Sequence, residues 1–445
     1  MPGWLLFLLI ILSISVVAVF SVVTIKIAEK KNCEAWIEKF WKKDYTKAIS
    51  SSLLSILFGM SIGCVILFLM ILFPSEDVQI NFNQALNGIQ LIFFGIFNTG
   101  RTSSGQLAFG FNGTSIGNML FRATPLILTG LSVAVAFKTG LFNIGAPGQY
   151  LVGTAATLIL ALAIPTSVVP SFLVWIIAFL GGILAGALWG AVPGLFKSFL
   201  NVNEVITCIM MNWIAANVVT ALFDKTIGPF KFLLDPSGTK NLAFVYQTTH
   251  NNVVTSKLGL DFIFKGSQVN GGIIIAILIA IVVSIVLNKT TFGYELKACG
   301  SNKHAAKYAG ISEKSRIIIS MAIAGGLAGA GAALYYLSGN TEFAWETYQS
   351  LPAIGFNGIP VALLVFNNPV GVIFSSMFMS TLDVNGMQLK YMTNYNEYIT
   401  NVISALIVYF SAFSLLIKQF LNGQIKINLF KKKKQVVPSE KKGVK

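Results

Sequence analysis

Residues 271–287 read GGIIIAILIAIVVSIVL, a run with no charged side chain. As a helix it rises about 25 Å at 1.5 Å per residue, close to the ~30 Å hydrocarbon layer of a bilayer. No polar stripe breaks it, so no face of this helix suits water. Lipid is the solvent it fits. Outward from this run, similar stretches lie near Trp4–Ile25, Ala48–Phe73, Ile116–Phe137, Gln149–Ile164, Ser171–Val192 and Val205–Phe223. Beyond it they recur near Arg316–Leu337, Leu351–Phe366, Val370–Gln388 and Ile399–Ile417. A backbone in lipid must satisfy its own hydrogen bonds, so these stretches predict helices. The expectation is an all-α, polytopic membrane protein of about eleven transmembrane helices, some of them discontinuous.

Composition agrees. Of 445 residues, 55% are hydrophobic and 11% charged, against roughly 25% charged in a soluble domain. Mean hydropathy is +0.73. The net charge of +15 raises the question of nucleic acid, but Lys outnumbers Arg by 29 to 3. The Lys falls in short clusters between apolar runs, with no Arg stripe interleaved with aromatics. That pattern excludes a nucleic-acid groove and instead orients a membrane protein. The first run has no basic residue before it and no cleavage site after it, so it is read as a retained span with its N-terminus outside. With eleven spans, the inner segments are 26–47, 138–148, 193–204, 288–316, 367–369 and the tail from Lys418. They hold 24 of the 32 Lys and Arg but only 8 of the 17 acids. The C-terminus is therefore expected in the cytosol of a plasma-membrane protein.

Two pieces depart from simple spanning. Leu86–Phe97 is apolar but short, and predicts an interfacial or re-entrant piece in an outer loop. Segment 26–47 alternates Lys with Trp36, Phe40, Trp41 and Tyr45, which suits an amphipathic helix on anionic lipid.

Catalytic chemistry has little to work with. Cys33, Cys64, Cys208 and Cys299 are isolated, and His250 and His304 lie far apart, so no metal site is indicated. No G-x-x-x-x-G-K-[ST], HExxH or G-x-S-x-G occurs, which leaves no ATPase, zinc-protease or esterase signature. No catalytic residue is assigned.

Four segments break the apolar background. In Phe142–Gln149, the breakers Gly145, Pro147 and Gly148 stop a helix and restart it. Broken helices line transport sites, which makes Asn143, Gly145 and Gln149 pathway candidates; a tight turn between spans accounts for the same residues. In Asn203–Trp213, Asn212 sits about two turns into an apolar run and should face protein or a pathway rather than lipid. Glu204 fits a helix N-terminus. In Ala298–Ser312, Asn302 or Ser301 can cap a short helix through Tyr308, Gly310 can end it, and Ser312 can cap the next. Its small residues invite close docking of a cytosolic protein, or it is a solvated connector. In Gly355–Leu364, Gly and Pro again interrupt an apolar run, bringing in Phe356 and Asn357. Gly130–Ala134 (GLSVA) also weakly matches Gly358–Ala362 (GIPVA), as an internal repeat would.

Taken together, PLILTGLSVAVAFKTGLFNIGAPGQ (125–149), NEVITCIMMNW (203–213), the 298–312 loop and GFNGIPVALL (355–364) resemble the permeases of binding-protein-dependent ABC importers. Those importers carry ribose, branched-chain amino acids and nucleosides, and the strings look most like the nucleoside type. The chain departs from the family pattern at Pro147 and Asn357, where Glu and Asp are usual. The resemblance covers about Ile116–Ile417. It leaves residues 1–115 as an extension with two spans, a Lys-rich inner segment and an outer loop, and 418–445 as a basic cytosolic tail.

The resemblance implies a subunit that binds no cofactor itself and uses ATP through a cytosolic ABC ATPase. It implies a second permease subunit, identical or related, and an external solute-binding lipoprotein. The ATPase would grip Asn302, Ala305, Ala306, Ala309, Gly310 and Ile311, while Asn143, Gly145, Gln149, Asn212, Phe356 and Asn357 would line the substrate pathway. Sugar or branched-chain amino acid transport are the alternatives within this class. An ion-coupled transporter would need buried Asp, Glu or His, and an intramembrane enzyme a convergent nucleophile and base.

Overall fold

A computed structural model describes residues 44–70, 82–103, 105–234, 241–242, 253–396 and 398–412. The expected first span, most of the Lys-rich segment and the basic tail lie outside the described residues. The described elements begin with α1 (Asp44–Leu69) and α2 (Phe82–Phe94), followed by a small hairpin of β1 (Asn98–Arg101) and β2 (Leu107–Phe109). Next come α3 (Gly113–Lys138), α4 (Ala146–Ala163), α5 (Ser171–Leu200) and α6 (Glu204–Leu222). After β3 (Asn241–Leu242) and the single turn α7 (Leu260–Ile263) follow α8 (Gly272–Lys289), α9 (Thr291–Ser301), α10 (Lys303–Tyr308) and α11 (Glu313–Tyr336). The last elements are β4 (Phe343–Ala344), which pairs with β3, α12 (Ala353–Leu364), α13 (Pro369–Met392) and α14 (Tyr398–Ala412).

The architecture is all-α and polytopic. Among the described residues, seven helices, α1, α3, α4, α5, α6, α8 and α11, are long and apolar enough to cross a bilayer. Helix α13 has 24 residues but carries Asp383, Asn385 and Lys390. The run Leu351–Phe366, expected to span, contains only the 12-residue α12, about 18 Å long. It stops because Phe366 and Asn367 adopt left-handed φ of 51° and 58°, and the Asn367 N–H turns back to the Ala362 carbonyl at 2.9 Å. Gly355 to Pro360 sit inside this unbroken helix, so the interruption falls at its ends rather than at its Gly and Pro. Leu86–Phe97 is helix α2 plus a 3-10 turn; Gly95 lies against Asn385, whose amide donates to the Ile92 carbonyl at 2.8 Å.

Helices α3, α4 and α11 form the centre, with 83%, 72% and 78% of their apolar windows buried, against 22% for α5 and 28% for α8. The outer helices turn Leu180, Leu184 and Leu188, or Ile281, Val282 and Ile285, outward, as lipid-facing helices should. What binds α5 to α11 is the lack of side chains. Gly182, Gly186, Gly190 and Gly194 recur every fourth residue along α5. A Cβ on Gly190 would lie 2.5 Å from the Met321 carbonyl oxygen and 2.9 Å from Gly325 Cα. Lipid tails are as apolar as leucine, so such backbone approach, not hydrophobicity, drives helix association here. The two similar strings GLSVA and GIPVA touch: a Cβ on Gly130 would meet Val361 Cγ1 at 2.6 Å, and one on Gly358 the Thr129 oxygen at 2.6 Å.

Candidate functional site

Helix α3 ends at Lys138, where the Thr139 hydroxyl donates to the Ala136 carbonyl at 2.7 Å and lies 2.6 Å from the Ser320 hydroxyl of α11. Gly140 turns the chain with φ 70°, a conformation that costs glycine little. Residues 141–145 then run back beside α3 without helical bonds, and α4 starts at Ala146 with a proline in its first turn. That is where the sequence placed the break. Asn143 reaches Ser132, six residues back from the helix end, so the irregular strand re-enters by about 9 Å.

Irregular backbone at such depth persists only if its polar groups are satisfied, and side-chain amides supply partners here. Asn143 is fully buried. Its Nδ2 donates to Ser132 Oγ at 3.0 Å and to Gln149 Oε1 at 2.8 Å. Its Oδ1 accepts from Gln149 Nε2 at 3.0 Å and from the Gly145 N–H at 3.2 Å. Asn212 of α6 closes the ring. Its Oδ1 accepts from the Gly148 N–H at 2.9 Å, and its Nδ2 donates to the Ile144 carbonyl at 3.0 Å. Gly148 is needed for that approach, since a Cβ there would lie 2.9 Å from Asn212 Cα. Three neutral amides thus pin an irregular segment without burying a charge.

Four of the six pathway candidates, Asn143, Gly145, Gln149 and Asn212, therefore form one node. Phe356 and Asn357 belong to α12, which adjoins the node because Gly355 rests on Pro147; a Cβ there would lie 2.7 Å from the Pro147 nitrogen. Both point elsewhere. Phe356 is 38% exposed, and the partly exposed Asn357 amide makes no hydrogen bond among the described residues. Glu204 pairs with Lys197 at 2.9 Å at the start of α6, the helix-terminal role its position suggested.

The docking candidates form α10 and its cap. Asn302 is the N-cap, its side chain accepting from the Ala305 N–H at 3.1 Å. At the other end the Ile311 N–H returns to the Ala306 carbonyl at 3.0 Å and the Gly310 N–H to Lys307 at 3.0 Å, with Gly310 at φ 79°. This is a Schellman stop. Ser312 occupies the next N-cap but its side chain makes no cap bond. Ion pairs tie α10 and α9 to α11, Lys303 to Glu313 at 3.4 Å and Glu295 to Arg316 at 2.6 Å. The result is a fixed platform on which Ala305, Ala309 and Gly310 are exposed, Ile311 is half-buried and Ala306 faces inward. The platform touches the break directly: a Cβ on Gly300 of α9 would sit 2.6 Å from the Lys138 carbonyl oxygen.

Sequence reasoning passed over the other end of α11. There Tyr335 stacks on Phe121 at 5.4 Å and Tyr336 approaches Tyr150 at 6.5 Å. Arg122 of α3 points Nη2 at Met387 Sδ, 3.6 Å away, and lies within electrostatic reach of Asp383. The YY pair and single charges gave no pattern to read, because their partners come from distant helices. No cluster of His, Cys, Asp or Glu able to hold a metal occurs among the described residues.

Residues 115–412 match the family model described as branched-chain amino acid transport system / permease component. The chain is 34% identical over 311 residues to the guanosine ABC transporter permease protein NupP of Bacillus subtilis, covering 70% of this chain and 84% of that one. It is 36% identical over 314 residues to the nucleoside ABC transporter permease protein NupB of Lactococcus lactis, covering 69% and 81%. The glucose ABC transporter permease protein TsgB13 of Haloferax volcanii is 29% identical over 309 residues, covering 68% and 78%. No solved structure matches. With the family model covering both the pinned break and the capped platform, the chain belongs to this family of ABC transporter permease components.

Proposed function

We propose that this chain is the membrane permease of an ATP-driven importer of nucleosides. The observation that carries the reading is its 34% and 36% identity, over about 70% of the chain, to permeases named for guanosine and nucleoside transport. Residues 116–417 form the permease unit, with 1–115 as an added N-terminal part and 418–445 as a basic cytosolic tail. The N-terminus lies outside, and α10 faces the cytosol of a multi-pass plasma-membrane protein.

ATP is used by a partner ATPase, which docks on Asn302, Ala305, Ala309, Gly310 and Ile311, with the inward-facing Ala306 seating the helix beneath them. A second permease, identical or related, completes the pathway, and an external lipoprotein delivers the solute. The contact of Gly300 with the 138–140 turn supports a mechanical route from the platform to the pathway. A push on α9 and α10 reaches the Asn143–Gln149–Asn212 node, and through Pro147 and Gly355 reaches α12. Along the pathway, Asn143, Gly145, Gln149 and Asn212 hold the wall, while Phe356 and Asn357 offer a ring face and a free amide to the solute.

Uptake of labelled guanosine, measured in cells with and without the ATPase partner, tests this. Uptake should require the ATPase and should not be competed by glucose. Uptake that persists without the ATPase would place the chain in another class, and competition by glucose would favour the sugar reading that the 29% relative suggests.

A further inference from the structure

Two opposite charges stand well inside the apolar bundle without meeting. Arg122 lies about 14 Å along α3 from Gly113, and Asp383 about 14 Å along α13 from Met392. Gln388, near the second of those helix ends, donates to Ser115 Oγ, near the first, at 3.3 Å. The two charges are therefore level, and a depth of 14 Å falls inside a ~30 Å hydrocarbon layer.

Contacts from three helices fix the place. Arg122 Nη2 donates to Met387 Sδ at 3.6 Å, and Met387 lies one turn from Asp383 on the same face of α13. Phe121, next to Arg122, stacks on Tyr335 of α11 at 5.4 Å and 17°. Arg122 and Asp383 are within electrostatic reach of each other, yet no ion pair joins them. Among the described residues the Met387 sulfur is the one hydrogen-bond partner of Arg122, and the Asp383 carboxylate has none. A thioether is a weak acceptor. Both side chains are only half-buried, and ionisable groups at such depth face a wet route or a partner rather than lipid. A five-donor fork and an acceptor-only carboxylate thus stand side by side, each with capacity to spare.

We propose that Arg122 and Asp383 read the base edge of the solute and select guanine. This rests on the nucleoside reading above and deepens it. Guanine carries two acceptors, O6 and N7, which an arginine fork takes as a pair. Beside them it carries two donors, N1–H and the 2-amino group, which suit one carboxylate. Adenine reverses the pattern, with a donor in place of O6 and an acceptor at N1, so it meets Arg122 and Asp383 with like against like. Further along α3, Thr129 abuts Gly358, beside Asn357. A solute released by the two charges therefore meets α12 next.

The test uses the complete transporter in lipid nanodiscs and a guanosine carrying a diazirine on its 5′ carbon, which leaves the base edge untouched. Light should place label on the permease near Arg122, Tyr335 or Asp383, displaced by guanosine at least about tenfold better than by adenosine. Asp383→Asn replaces one acceptor oxygen with a donor and should lower that preference about tenfold. Arg122→Lys keeps the charge but loses the fork, and should lower it about three- to tenfold; if Asp383→Asn fails to assemble, this variant decides. Guanosine-protected label elsewhere, or an unchanged preference, overturns the site, while ATP-dependent guanosine uptake leaves the nucleoside reading standing. Loss of the second permease from the purified complex with the preference intact assigns the charges to a subunit contact and also overturns the site. No guanosine uptake and no guanosine-protected label anywhere overturns both.

Discussion

The segment 139–149 and helix α12 lie against each other, and their polar groups behave oppositely. In the first, every amide is matched: Asn143 to Ser132 and Gln149, and Asn212 to Ile144 and Gly148. In the second, Phe356 and Asn357 project away from the contact that Gly355 makes with Pro147. One region holds the break in a single geometry, and the other leaves a ring and an amide uncommitted.

The largest effect should come from the pinned side. Asn212→Leu orphans the Gly148 N–H and the Ile144 carbonyl together, at about 2–3 kcal/mol. That exceeds the ~0.6 kcal/mol average for one interhelical hydrogen bond in a bilayer, because two backbone groups lose their partner. Thermal unfolding in detergent should show a clear drop and membrane abundance should fall. Next, Gly355→Ala pushes a methyl into the Pro147 backbone and should cost about 1–3 kcal/mol, read in the same melt. Asn357→Leu should leave stability within about 0.5 kcal/mol of wild type while slowing guanosine uptake. If Asn357→Leu destabilised as much as Asn212→Leu, the contrast would collapse. Smallest in stability is Ala305→Trp on the exposed side of α10, where the melt should not move while docking of the ATPase, followed by co-purification, is weakened.

Much of this was legible from residue type alone. Apolar length and charge placement gave the class, because lipid leaves a backbone little choice. Gly145, Pro147 and Gly148 announced the break, and Asn302 and Gly310 announced both ends of α10, since caps and left-handed turns are local chemistry. The GLSVA and GIPVA match, weak as five small residues are, falls on two strings that pack on each other. What stayed hidden was tertiary. The apolar run 351–366 holds an 18 Å helix because Phe366 and Asn367 turn left-handed and protein covers it on several sides, which no hydropathy count sees. That Ala306 faces inward while Ala305 faces outward depends on how α9 and α11 clamp the platform. The contact of Tyr150 with Tyr336 joins α4 and α11 across almost two hundred residues of sequence.

The coupling of α10 to the break is tested most directly by measuring ATP hydrolysis and guanosine uptake together in proteoliposomes, wild type beside Ala305→Trp. The account predicts that wild type hydrolyses ATP in step with uptake, and that the variant loses most uptake per ATP while its fold is retained. Equal uptake per ATP in the two proteins would contradict it.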